Sequence, residues 1–586
     1  MPVATAQPDV KLTVGIDFGT SHSGYAVSHV AKPEEVEAFY DWPGQPAPYA
    51  KTLTALFYEQ QPDGTYKATS WGFQAWLRQR EISCSTTSLY VSRFKLLLDE
   101  CVAGGEVGLM SKERPLDIIR IPPGLTLESV IGDYLRYLKQ SVETVIRKQY
   151  DGILTLDNVQ WCLSVPAMWT DRAKARMRQA AYIAGMIPDI DSHRLTFTLE
   201  PEAAAVYCSH NRSQYHFGKG QSFMVVDAGG GTVDLTVHKV TGSGAMEEVT
   251  RGHGRSCGAT YLDVEFLKFV RGKLGEEYYS EWCSKYPSEM AVLMSSWEKC
   301  KRNFSGPEDE SMFIAMPPKM YKRLPVGVED RLTDEQDGYD DCLVVTGPEA
   351  VAVFDPVVAK VLGCIEEQMK RLKEEGGDTN RQLKAMLLVG GFSASPYLIK
   401  RVREVFGDRS ECIINPPQPG AAVVVGAVHY GSNPSVIKAR ISRFTYGFKG
   451  GAVYNPQRPG HKRRESQASW DERAQALRFK GVFNPIIRMG DRVPCDHTVV
   501  QTGRKPIYAD QTRVSFQLYC CAGSPFFVTE DGVQQLGERV TVTVPTEEER
   551  HVDLRFLFGD TEFRMVVTPR DKSCPALETT AKFQSK

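Results

Sequence analysis

The chain has 586 residues, of which 42% are hydrophobic and 24% charged, and its formal net charge at pH 7 is -2. This length exceeds what one hydrophobic core usually serves, so several domains are expected. The nearly balanced charge argues against a nucleic acid or an anionic membrane as partner, because both are bound by strongly basic surfaces.

The first informative segment, residues 14–21, is an apolar strand that ends in Asp17 and is followed by a turn of glycine and hydroxyl residues. A second strand follows at 24–30, so the pattern predicts a β-hairpin. Glycine lets backbone N–H groups approach an anion, and a carboxylate at a strand end suits a hydrated cation. The turn therefore predicts a phosphate site with a cation beside it.

Two helices are predicted next from apolar residues at three- and four-residue spacing. Thr126 is expected to cap the first, whose apolar residues continue to Ile146, and Thr170 to cap the second, over residues 171–186. The alternation of strands and helices continues to about residue 430 and favours an α/β architecture.

Residues 197–205 predict a strand that leads directly into a helix, with carboxylates at the junction. Glu200, immediately before a proline, is the candidate to orient a water molecule or the hydration shell of a cation. Glu202 is explained by the preference of helix starts for acidic residues.

The pattern of residues 14–21 recurs about 200 residues later. Residues 225–232 form a second apolar strand that ends in Asp227 and a Gly229-Gly230-Gly231-Thr232 turn, and another strand follows at 233–240. Two such hairpins facing each other would hold a metal-bound polyphosphate from both sides. This repetition is the main indication of function in the sequence.

Residues 294–305 predict a helix on which Glu298, Lys301, Arg302 and Ser305 share one face. Periodicity alone favours a solvated stripe with a Glu298–Arg302 pair. A ligand-binding face is the alternative.

The acidic segment 329–341 is poor in apolar residues and predicts a solvated loop. Farther along, an apolar strand precedes Gly390 and Gly391, and Ser395 is expected to cap a helix that ends near Gly407. Strand, double glycine and helix is a common place for a nucleotide, although a double glycine by itself usually only makes a turn.

Residues 450–473 contain two prolines and the basic run 461–464, which predicts an exposed insertion. A plain surface loop is favoured there over a nuclear-import or anionic-partner role. Strands are predicted at 514–521, 526–529, 539–544 and 551–567, the last broken by a Gly559-Asp560 turn. This last part of the chain is therefore expected to be all-β.

The cysteine pattern and the first residues bear on the compartment. The 14 cysteines lack C-x-x-C spacing, which argues against a zinc site or a disulfide framework. Residues 1–11 do not have the pattern of a signal peptide, and no apolar run reaches the length of a bilayer span. We expect a cytoplasmic protein, to which the basic run would give nuclear access.

Taken in order, these segments resemble the heat-shock-70 chaperone family, within the superfamily of actin, hexokinase and heat-shock ATPases. The segments are Gly15-Ile-Asp-Phe-Gly-Thr-Ser, Ser164-Val-Pro-Ala, Glu200-Pro-Glu-Ala-Ala-Ala, Asp227-Ala-Gly-Gly-Gly-Thr-Val-Asp, residues 298–305 and Leu388-Val-Gly-Gly. Phe392-Ser393 and residues 443–447 are more similar to the divergent heat-shock 70 kDa protein 12 subgroup.

The resemblance implies an α/β fold, a two-lobed actin-like ATPase with duplicated ribonuclease-H-like cores, followed by a smaller, mostly β C-terminal region. Lobe I would span residues 10–220 and lobe II residues 221–431. Residues 432–449 would be a linker, and 450–586 the β-rich region with the exposed insertion.

The resemblance also implies ATP or ADP with magnesium as ligands. Magnesium would be held through water by Asp17 and Asp227. Catalysis is assigned to Asp17, Lys95, Glu200, Asp227 and Asp234, with Lys95 reaching the γ-phosphate and Glu200 and Asp234 orienting the attacking water. Nucleotide contacts are assigned to Gly19, Thr20, Ser21, His22, Gly229, Gly230, Gly231, Thr232, Glu298, Lys301, Arg302, Ser305, Gly390, Gly391 and Phe392.

Departures from the family pattern affect the expected activity. Ala394 stands where the main family has an arginine against adenine, and His22 where it has an aromatic hydroxyl residue; packing explains His22 better than pH sensing. We expect an ATP-binding, slowly hydrolysing protein whose lobe closure controls binding of a protein client or co-chaperone. A nucleotide-binding scaffold without useful turnover and a small-molecule kinase are the alternatives.

Overall fold

The protein is described by a computed structural model. It covers residues 9–81, 87–98, 119–210, 217–242, 245–307, 311–336, 338, 341–375, 383–495, 497–508, 510–545, 549–558, 564–571, 574 and 576–580. The chain divides into two compact units. The first comprises Met1–Met168, Met177–Gly244 and Gly252–Val436, and the second comprises Trp169–Arg176, Ala245–Arg251 and Ile437–Lys586.

Strands and helices alternate through residue 436, as the hydrophobic pattern predicts. The strands are β1 Leu12–Asp17, β2 His22–His29, β3 Glu37–Ala38, β4 Thr52–Leu53, β5 Ala55–Gln60, β6 Tyr66–Trp71, β7 Ser88–Ser92, β8 Val159–Val165, β9 Leu195–Leu199, β10 Ser222–Ala228, β11 Val233–Val240, β12 Met246–Arg255, β13 Met312–Ala315, β14 Cys342–Val345, β15 Ala385–Val389 and β16 Ile413–Ile414. The helices are α1 Gly72–Glu81, α2 Leu127–Gln149, α3 Asp171–Ile183, α4 Glu200–His210, α5 Thr260–Leu274, α6 Glu276–Lys285, α7 Pro287–Asn303, α8 Pro318–Tyr321, α9 Val326–Glu335, α10 Gly347–Glu375, α11 Pro396–Phe406 and α12 Ala422–Ser432.

Two sheets of the first unit share one topology. In the first, the order is β3-β2-β1-β8-β9, with β1 antiparallel to β2 and parallel to β8. In the second, β16, β15, β10 and β11 are neighbours in that order, with β10 antiparallel to β11 and parallel to β15. Each sheet therefore has a hairpin followed by crossovers to two parallel strands on the other side of its first strand. The repeated hairpins of the sequence are the first two strands of these sheets.

The predicted helix starts are confirmed by their caps. The Thr126 Oγ1 atom accepts a hydrogen bond from the Ser129 backbone N–H at 3.1 Å, Thr170 Oγ1 accepts from Ala173 N–H at 3.2 Å, and Ser395 Oγ accepts from Leu398 N–H at 3.3 Å. Such a bond satisfies one of the backbone donors that a helix start leaves without an intrahelical partner.

Helices α4 and α12 pack at unusually short range. A Cβ atom on Gly426 of α12 would lie 1.7 Å from the carbonyl oxygen of Ala203 in α4. Only glycine opposite the alanines of α4 permits this approach. The start of α4, which includes Glu200, is buried.

The loop predicted over residues 329–341 is wrong for its first half, because α9 occupies Val326–Glu335. Leu332 is almost completely buried, and Glu335 forms an ion pair with Lys273 at 3.0 Å between Oε2 and Nζ. One apolar anchor and paired charges thus stabilise a helix in an acidic segment. Residues 337, 339 and 340 lie outside the described residues.

Most strands of the second unit form two sheets. Its strands are β17 Ile437–Ile441, β18 Thr445–Val453, β19 Ser469–Asp471, β20 Ala476–Ile487, β21 Arg492–Pro494, β22 Thr498–Arg504, β23 Arg513–Cys521, β24 Gln534–Thr543, β25 Val552–Leu557, β26 Arg564–Pro569 and β27 Leu577–Thr580, with the short helix α13 Pro459–Lys462. One sheet has the order β19-β20-β18-β23-β24 and the other β22-β25-β26-β27. Phe448, Leu518 and Val540 from the first sheet share a core with Phe556 and Met565 from the second. The arrangement is a β-sandwich.

Several sequence expectations for this region need correction. Residues 450–453, expected to begin an exposed insertion, are the end of β18, which pairs with β20 through a register shift at Gly450 and Gly451. The strand predicted at 526–529 is absent there, where only an isolated bridge from Phe527 to Val482 is found.

Other expectations for the region concern its boundaries. The predicted linker 432–449 carries β17 and the start of β18, and the predicted domain boundaries themselves stay a prediction. The predicted Gly559-Asp560 turn lies outside the described residues. None of the helices described here combines the length and apolar character needed to cross a membrane.

Candidate functional site

The two repeated turns of the first unit face each other in direct contact. A Cβ atom on Gly230 would lie 2.3 Å from Ser21 Oγ, and one on Gly231 would lie 2.5 Å from Thr20 Oγ1. A methyl group at either position would overlap the opposite turn, so this approach requires glycine. The two turns that were predicted from the sequence, about 200 residues apart in the chain, are thus in contact in the structure.

The second turn is fixed from behind by the start of α5. The backbone N–H groups of Gly258, Ala259 and Thr260 donate to the carbonyl oxygens of Gly231, Gly229 and Gly230 at 3.1, 3.1 and 2.8 Å, respectively. Hydrogen bonds to all three carbonyls hold the glycine turn rigid. Within the turn, the Gly229 N–H donates to Thr232 O at 2.9 Å, which closes the hairpin.

The first turn is anchored by β4 and the residues after it. Thr54 donates from Oγ1 to Gly19 O at 2.8 Å and from its backbone N–H to Ser21 O at 2.8 Å. The Gly19 N–H donates to Ser23 Oγ at 3.1 Å. Both turns are therefore preorganised by hydrogen bonds from neighbouring segments of the first unit.

Asp17, at the end of β1, is buried and paired with a lysine. Its Oδ2 atom lies 2.5 Å from Lys51 Nζ, and its Oδ1 atom accepts from Ser164 Oγ at 3.3 Å. Burial alone would lower the pKa of Lys51, but the Asp17 carboxylate overcomes it and holds the pKa above its usual value. Lys51 is therefore a buried, charged ammonium at the base of the first turn.

Asp227 and Asp234 face each other across the second hairpin, in register on β10 and β11. Gly390, at a backbone φ of +86°, packs so closely that a Cβ atom there would lie 2.4 Å from Asp227 Oδ1. Asp234 Oδ1 accepts from the Met168 backbone N–H at 3.2 Å. Burial and then the Glu200, Asp17 and Asp234 carboxylates hold the pKa of Asp227 well above its usual value.

Glu200 and Lys95 form a buried ion pair beside these aspartates. Lys95 lies on a short 3₁₀ helix, Phe94–Leu98, and its Nζ atom donates to Glu200 Oε1 at 2.6 Å. Burial raises the pKa of Glu200 from 4.5 to about 7; Lys95 opposes this effect, and Asp17 and Asp234 add to it. Glu200 thus has a pKa matched to proton transfer near neutral pH.

The polar stripe predicted on 294–305 forms a network on α7. Glu298 pairs with Lys301 and, at 2.8 Å between Oε1 and Nε, with Arg302. Lys301 is buried and also bonds Asp263 Oδ1 at 2.9 Å, whereas Arg302 is mostly exposed. Although burial opposes it, pairing with both cations lowers the pKa of Glu298 to about 2. Ser305 lies beyond the helix end at Asn303, so it does not continue the helical stripe.

His22, the first residue of β2, lies within electrostatic range of this network. Its ring meets Tyr49 edge-on with centroids 6.1 Å apart. Burial, and then the charges of Arg302, Lys51 and Lys301, lower its pKa to about 4, with Glu298 opposing. His22 is therefore neutral at physiological pH.

The double-glycine segment reaches the same region. Gly390 donates from its N–H to Pro419 O at 3.0 Å, and Gly391 precedes a 3₁₀ turn, Phe392–Ala394, in which Phe392 is buried. The Tyr397 N–H donates to Phe304 O at 3.2 Å, which joins this segment to the end of α7. The segment after β15 thus lies against the end of α7.

Three residues of the site were not predicted from the sequence. Lys51 pairs with Asp17, Asp263 accepts from Lys301 and from Trp297 Nε1 at 3.0 Å, and the Thr260 hydroxyl lies 3.5 Å from Ser21 Oγ. None belongs to a glycine turn or a periodic stripe. The only sequence signal was for Lys51, a lysine just before the apolar strand that follows the first hairpin.

Comparison with known proteins agrees with this geometry. A family profile described as "Domain of unknown function (DUF8340)" matches residues 216–415. Human heat shock 70 kDa protein 12B is 25% identical, with 96% of this chain and 90% of that protein covered, and human heat shock 70 kDa protein 12A is 25% identical, with 95% and 89% covered. The chaperone protein HscA homolog of Bordetella petrii is 25% identical over 71% of this chain and 57% of its own length.

The mixed α/β fold with its paired hairpins fits the actin-like ATPase superfamily, and the chain is similar to heat-shock-70 proteins of that superfamily. Its similarity to heat shock 70 kDa proteins 12A and 12B extends over nearly its whole length.

Proposed function

We propose that the protein binds ATP between the two opposed turns, hydrolyses it slowly and uses closure of two lobes to control binding of a protein partner. The contact of Gly230 and Gly231 with Ser21 and Thr20 carries the proposal. Because of this contact, the backbone and hydroxyl groups of both turns lie close together, near the carboxylates at the ends of the strands. Such a grouping suits a phosphate with a bound cation.

Residues 10–220 and 221–431 are the proposed lobes, each built on one of the two sheets of like topology. Relatives named chaperone proteins, including a DnaK of Deinococcus proteolyticus that is 24% identical, support a protein client or co-chaperone as the partner. The β-sandwich within residues 450–586 is the proposed partner-binding region.

The carboxylates beneath the turns fit a divalent cation. Asp17, Glu200, Asp227 and Asp234 are all buried, and the buried cations beside them are Lys51 and Lys95. Burial, and then the charges of Glu200, Asp17 and Asp234, raise the pKa of Asp227, and a bound cation would offset this effect. Across the described residues, no three His, Cys, Asp or Glu side chains are grouped as direct metal ligands. Magnesium would therefore be held by Asp17 and Asp227 through water, where it would offset phosphate charge.

The polar residues around the turns bind the nucleotide. Thr20, Ser21 and the 229–232 turn contact the phosphates, Glu298 and Lys301 the ribose, and Arg302 the adenine. The ion pair of Lys301 with Asp263 holds the lysine in place, and the exposed Arg302 guanidinium is free to stack on a base. Gly390, Gly391 and Phe392 close the other side of the base.

Hydrolysis proceeds by in-line attack of water on the γ-phosphate. Glu200, with a pKa of about 7, accepts the proton from that water. Asp234 orients the water, and Lys95 stabilises charge on the transferring phosphoryl group. Lys95 pairs with Glu200 at 2.6 Å, so part of its charge is already engaged by a carboxylate, and slow turnover is the expected behaviour.

Single-turnover phosphate release tests the hydrolytic part of the proposal. Wild type is expected to release phosphate about 100-fold faster than Asp17→Asn, Lys95→Ala or Glu200→Gln, as is typical for loss of an acid–base or charge-stabilising group. Equal rates in all four would favour a nucleotide-binding scaffold. Transfer of labelled γ-phosphate to a metabolite rather than to water would favour a small-molecule kinase.

Hydrogen exchange of the sandwich tests the coupling to a partner. Protection of residues 445–580 is expected to differ between ATP and ADP, since the two nucleotides would favour different degrees of lobe closure. Identical protection with ATP, with ADP and without nucleotide would contradict lobe control.

A further inference from the structure

Two cysteines outside the proposed nucleotide site lie next to each other in the first unit. Cys257 follows β12 and Cys364 lies on the buried face of α10, and both side chains are almost completely buried. Beside them, Glu367 Oε2 lies 3.1 Å from His253 Nε2 and accepts a hydrogen bond from Arg255 Nη2 at 3.1 Å. The end of β12 is therefore joined to α10 about one helical turn from Cys364, and the two thiols are in hydrogen-bond contact.

The two thiols differ in their readiness to ionise. Cys257 donates to Cys364, and this hydrogen bond, together with burial, raises the pKa of Cys257 well above its usual value. The same bond lowers the pKa of Cys364; burial opposes it, and His253 and Arg255 add to it. A thiolate that accepts a hydrogen bond from a second thiol, near a cationic side chain, is suited to oxidation to a disulfide.

The two buried thiols lie close to the surface of the first unit. Arg255 and Glu367, which are near them in the chain and paired with each other, have side chains that are 57% and 35% exposed. A small local opening is therefore enough to admit an oxidant as small as hydrogen peroxide.

Cys257 is directly followed by the residues that hold the second glycine turn. The backbone N–H groups of residues 258–260 donate to the carbonyl oxygens of residues 229–231 at 2.8–3.1 Å. A disulfide needs its two sulfur atoms about 2.05 Å apart, so its formation draws Cys257 toward α10. A covalent bond at Cys257 therefore limits the movement of the segment that fixes the turn.

We propose that Cys257 and Cys364 form a reversible disulfide under oxidising conditions and that this bond restrains the glycine turn at residues 229–231. With hydrogen peroxide as the oxidant, the Cys364 thiolate attacks one peroxide oxygen, the O–O bond breaks, and hydroxide leaves as Cys364 becomes a sulfenic acid. The Cys257 sulfur then attacks the Cys364 sulfur, and the Cys257 thiol proton goes to the departing hydroxyl group, which leaves as water. The two sulfur atoms together lose the two electrons that the peroxide gains. A dithiol reductant reverses the reaction by thiol–disulfide exchange.

Disulfide mapping of the full chain tests the proposal without any nucleotide. The native protein is treated with hydrogen peroxide, the remaining thiols are alkylated in urea, and the chain is digested without reductant. Trypsin gives the peptides 256–268 and 361–370, each with one cysteine. After oxidation the two peptides are expected to be cross-linked, with loss of two hydrogen atoms, and to separate in dithiothreitol. If they remain separate, as thiols or as sulfinic or sulfonic acids, the proposal is overturned.

Two controls accompany the mapping. Cys208, on α4, is an equally buried thiol whose pKa is raised by burial alone, so it should remain reduced under the same treatment. Cys364→Ser should abolish the cross-link, whereas Cys283→Ser, which removes a half-buried cysteine of α6, should leave it as in wild type. Mapping of the wild-type chain decides the question even if Cys364→Ser fails to fold.

Hydrogen exchange measures the restraint on the turn. After oxidation, the amides of residues 258–260 are expected to exchange about tenfold more slowly, because the cross-link removes opened conformations in which this segment moves away from α10. Dithiothreitol should return the exchange to its original rate. Equal or faster exchange in the cross-linked protein would overturn the proposed restraint.

Discussion

Arg93 and Asp263 form an ion pair, with 2.9 Å between Nη2 and Oδ2, that joins segments 170 residues apart in the chain. Arg93 follows β7 of the proposed first lobe, and Asp263 lies on α5, whose start holds the carbonyls of the glycine turn in the second. Asp263 also bonds Lys301. The pair thus connects the proposed lobes next to the residues proposed to bind the nucleotide.

Removing this ion pair should increase the rate at which bound nucleotide dissociates. Arg93→Ala is expected to speed ADP release about fivefold, equivalent to about 1 kcal/mol for a partly exposed ion pair. Stopped-flow displacement of a fluorescent ADP analogue measures the rate. Arg78→Ala removes an arginine whose pairs with Glu59 and Glu81 are exposed, so it serves as control. An unchanged release rate in Arg93→Ala would exclude a role for the pair in retaining nucleotide.

Hydrolysis should depend on pH through Glu200. Its pKa is raised from 4.5 to about 7, so the carboxylate that accepts a proton is depleted below neutral pH. Phosphate release should therefore increase with pH, with a midpoint near 7, whereas Glu200→Gln should be slow at every pH. A pH-independent rate in wild type would rule out Glu200 as the base.

The same shift has a consequence for stability in metal-free, nucleotide-free protein. Between pH 4.5 and about 7, the folded state keeps a proton on Glu200 that the unfolded state releases. The folded state binds more protons in this window, so the free energy of unfolding should fall as pH rises. Glu200→Gln should lack this contribution, and urea unfolding at several pH values would show the difference.

His22 should not act as a pH sensor near neutrality. Its pKa is lowered from 6.5 to about 4, first by burial, so the neutral ring persists across physiological pH. The unfolded state takes up a proton between these values and the folded state does not, so stability should decline as pH falls through this window. Nuclear magnetic resonance titration of the imidazole measures the pKa, and a value above 6 would contradict the assignment. His22→Phe should bind ADP within about threefold of wild type from pH 6 to 8.

Because the two turns are in contact, a small side chain at Gly230 should lower the affinity for ATP. In Gly230→Ala the added methyl group would lie 2.3 Å from Ser21 Oγ and 3.0 Å from Ser21 Cβ, so that Ser21 in the opposite turn has to shift. ATP affinity should fall by about tenfold or more. Gly272→Ala is the control: that glycine lies within α5 with no atom within 4 Å of its Cβ position, and alanine should stabilise the helix by about 0.5–1 kcal/mol. Equal affinities in both variants would mean that the turns do not close on the nucleotide.

The sequence predicted best what short segments determine. The hairpins at Asp17 and Asp227 and the caps at Thr126 and Ser395 depend on neighbouring residues, and the structure has them where expected. The predictions that were wrong concern structure that depends on tertiary packing. Leu332, the single buried apolar anchor of α9, gives too weak a periodicity to predict that helix.

The charged residues that pair with predicted site residues could not be predicted from the sequence for the same reason. Lys51 and Asp263 are isolated charged residues whose importance arises from a buried carboxylate or lysine brought close only by folding. His461 shows the reverse error, because a residue predicted to lie in an exposed basic run is buried with its ring 5.1 Å from Phe479. Composition reveals neither kind of contact, since each joins segments that are distant in sequence.

Calorimetric titration of the purified chain with ADP and ATP tests the central claim, that the opposed turns enclose one adenine nucleotide. Saturable binding of one nucleotide per chain is predicted, with ATP and ADP competing for the same site and Gly230→Ala weakening both. The absence of saturable binding of either nucleotide, with and without magnesium, would contradict it.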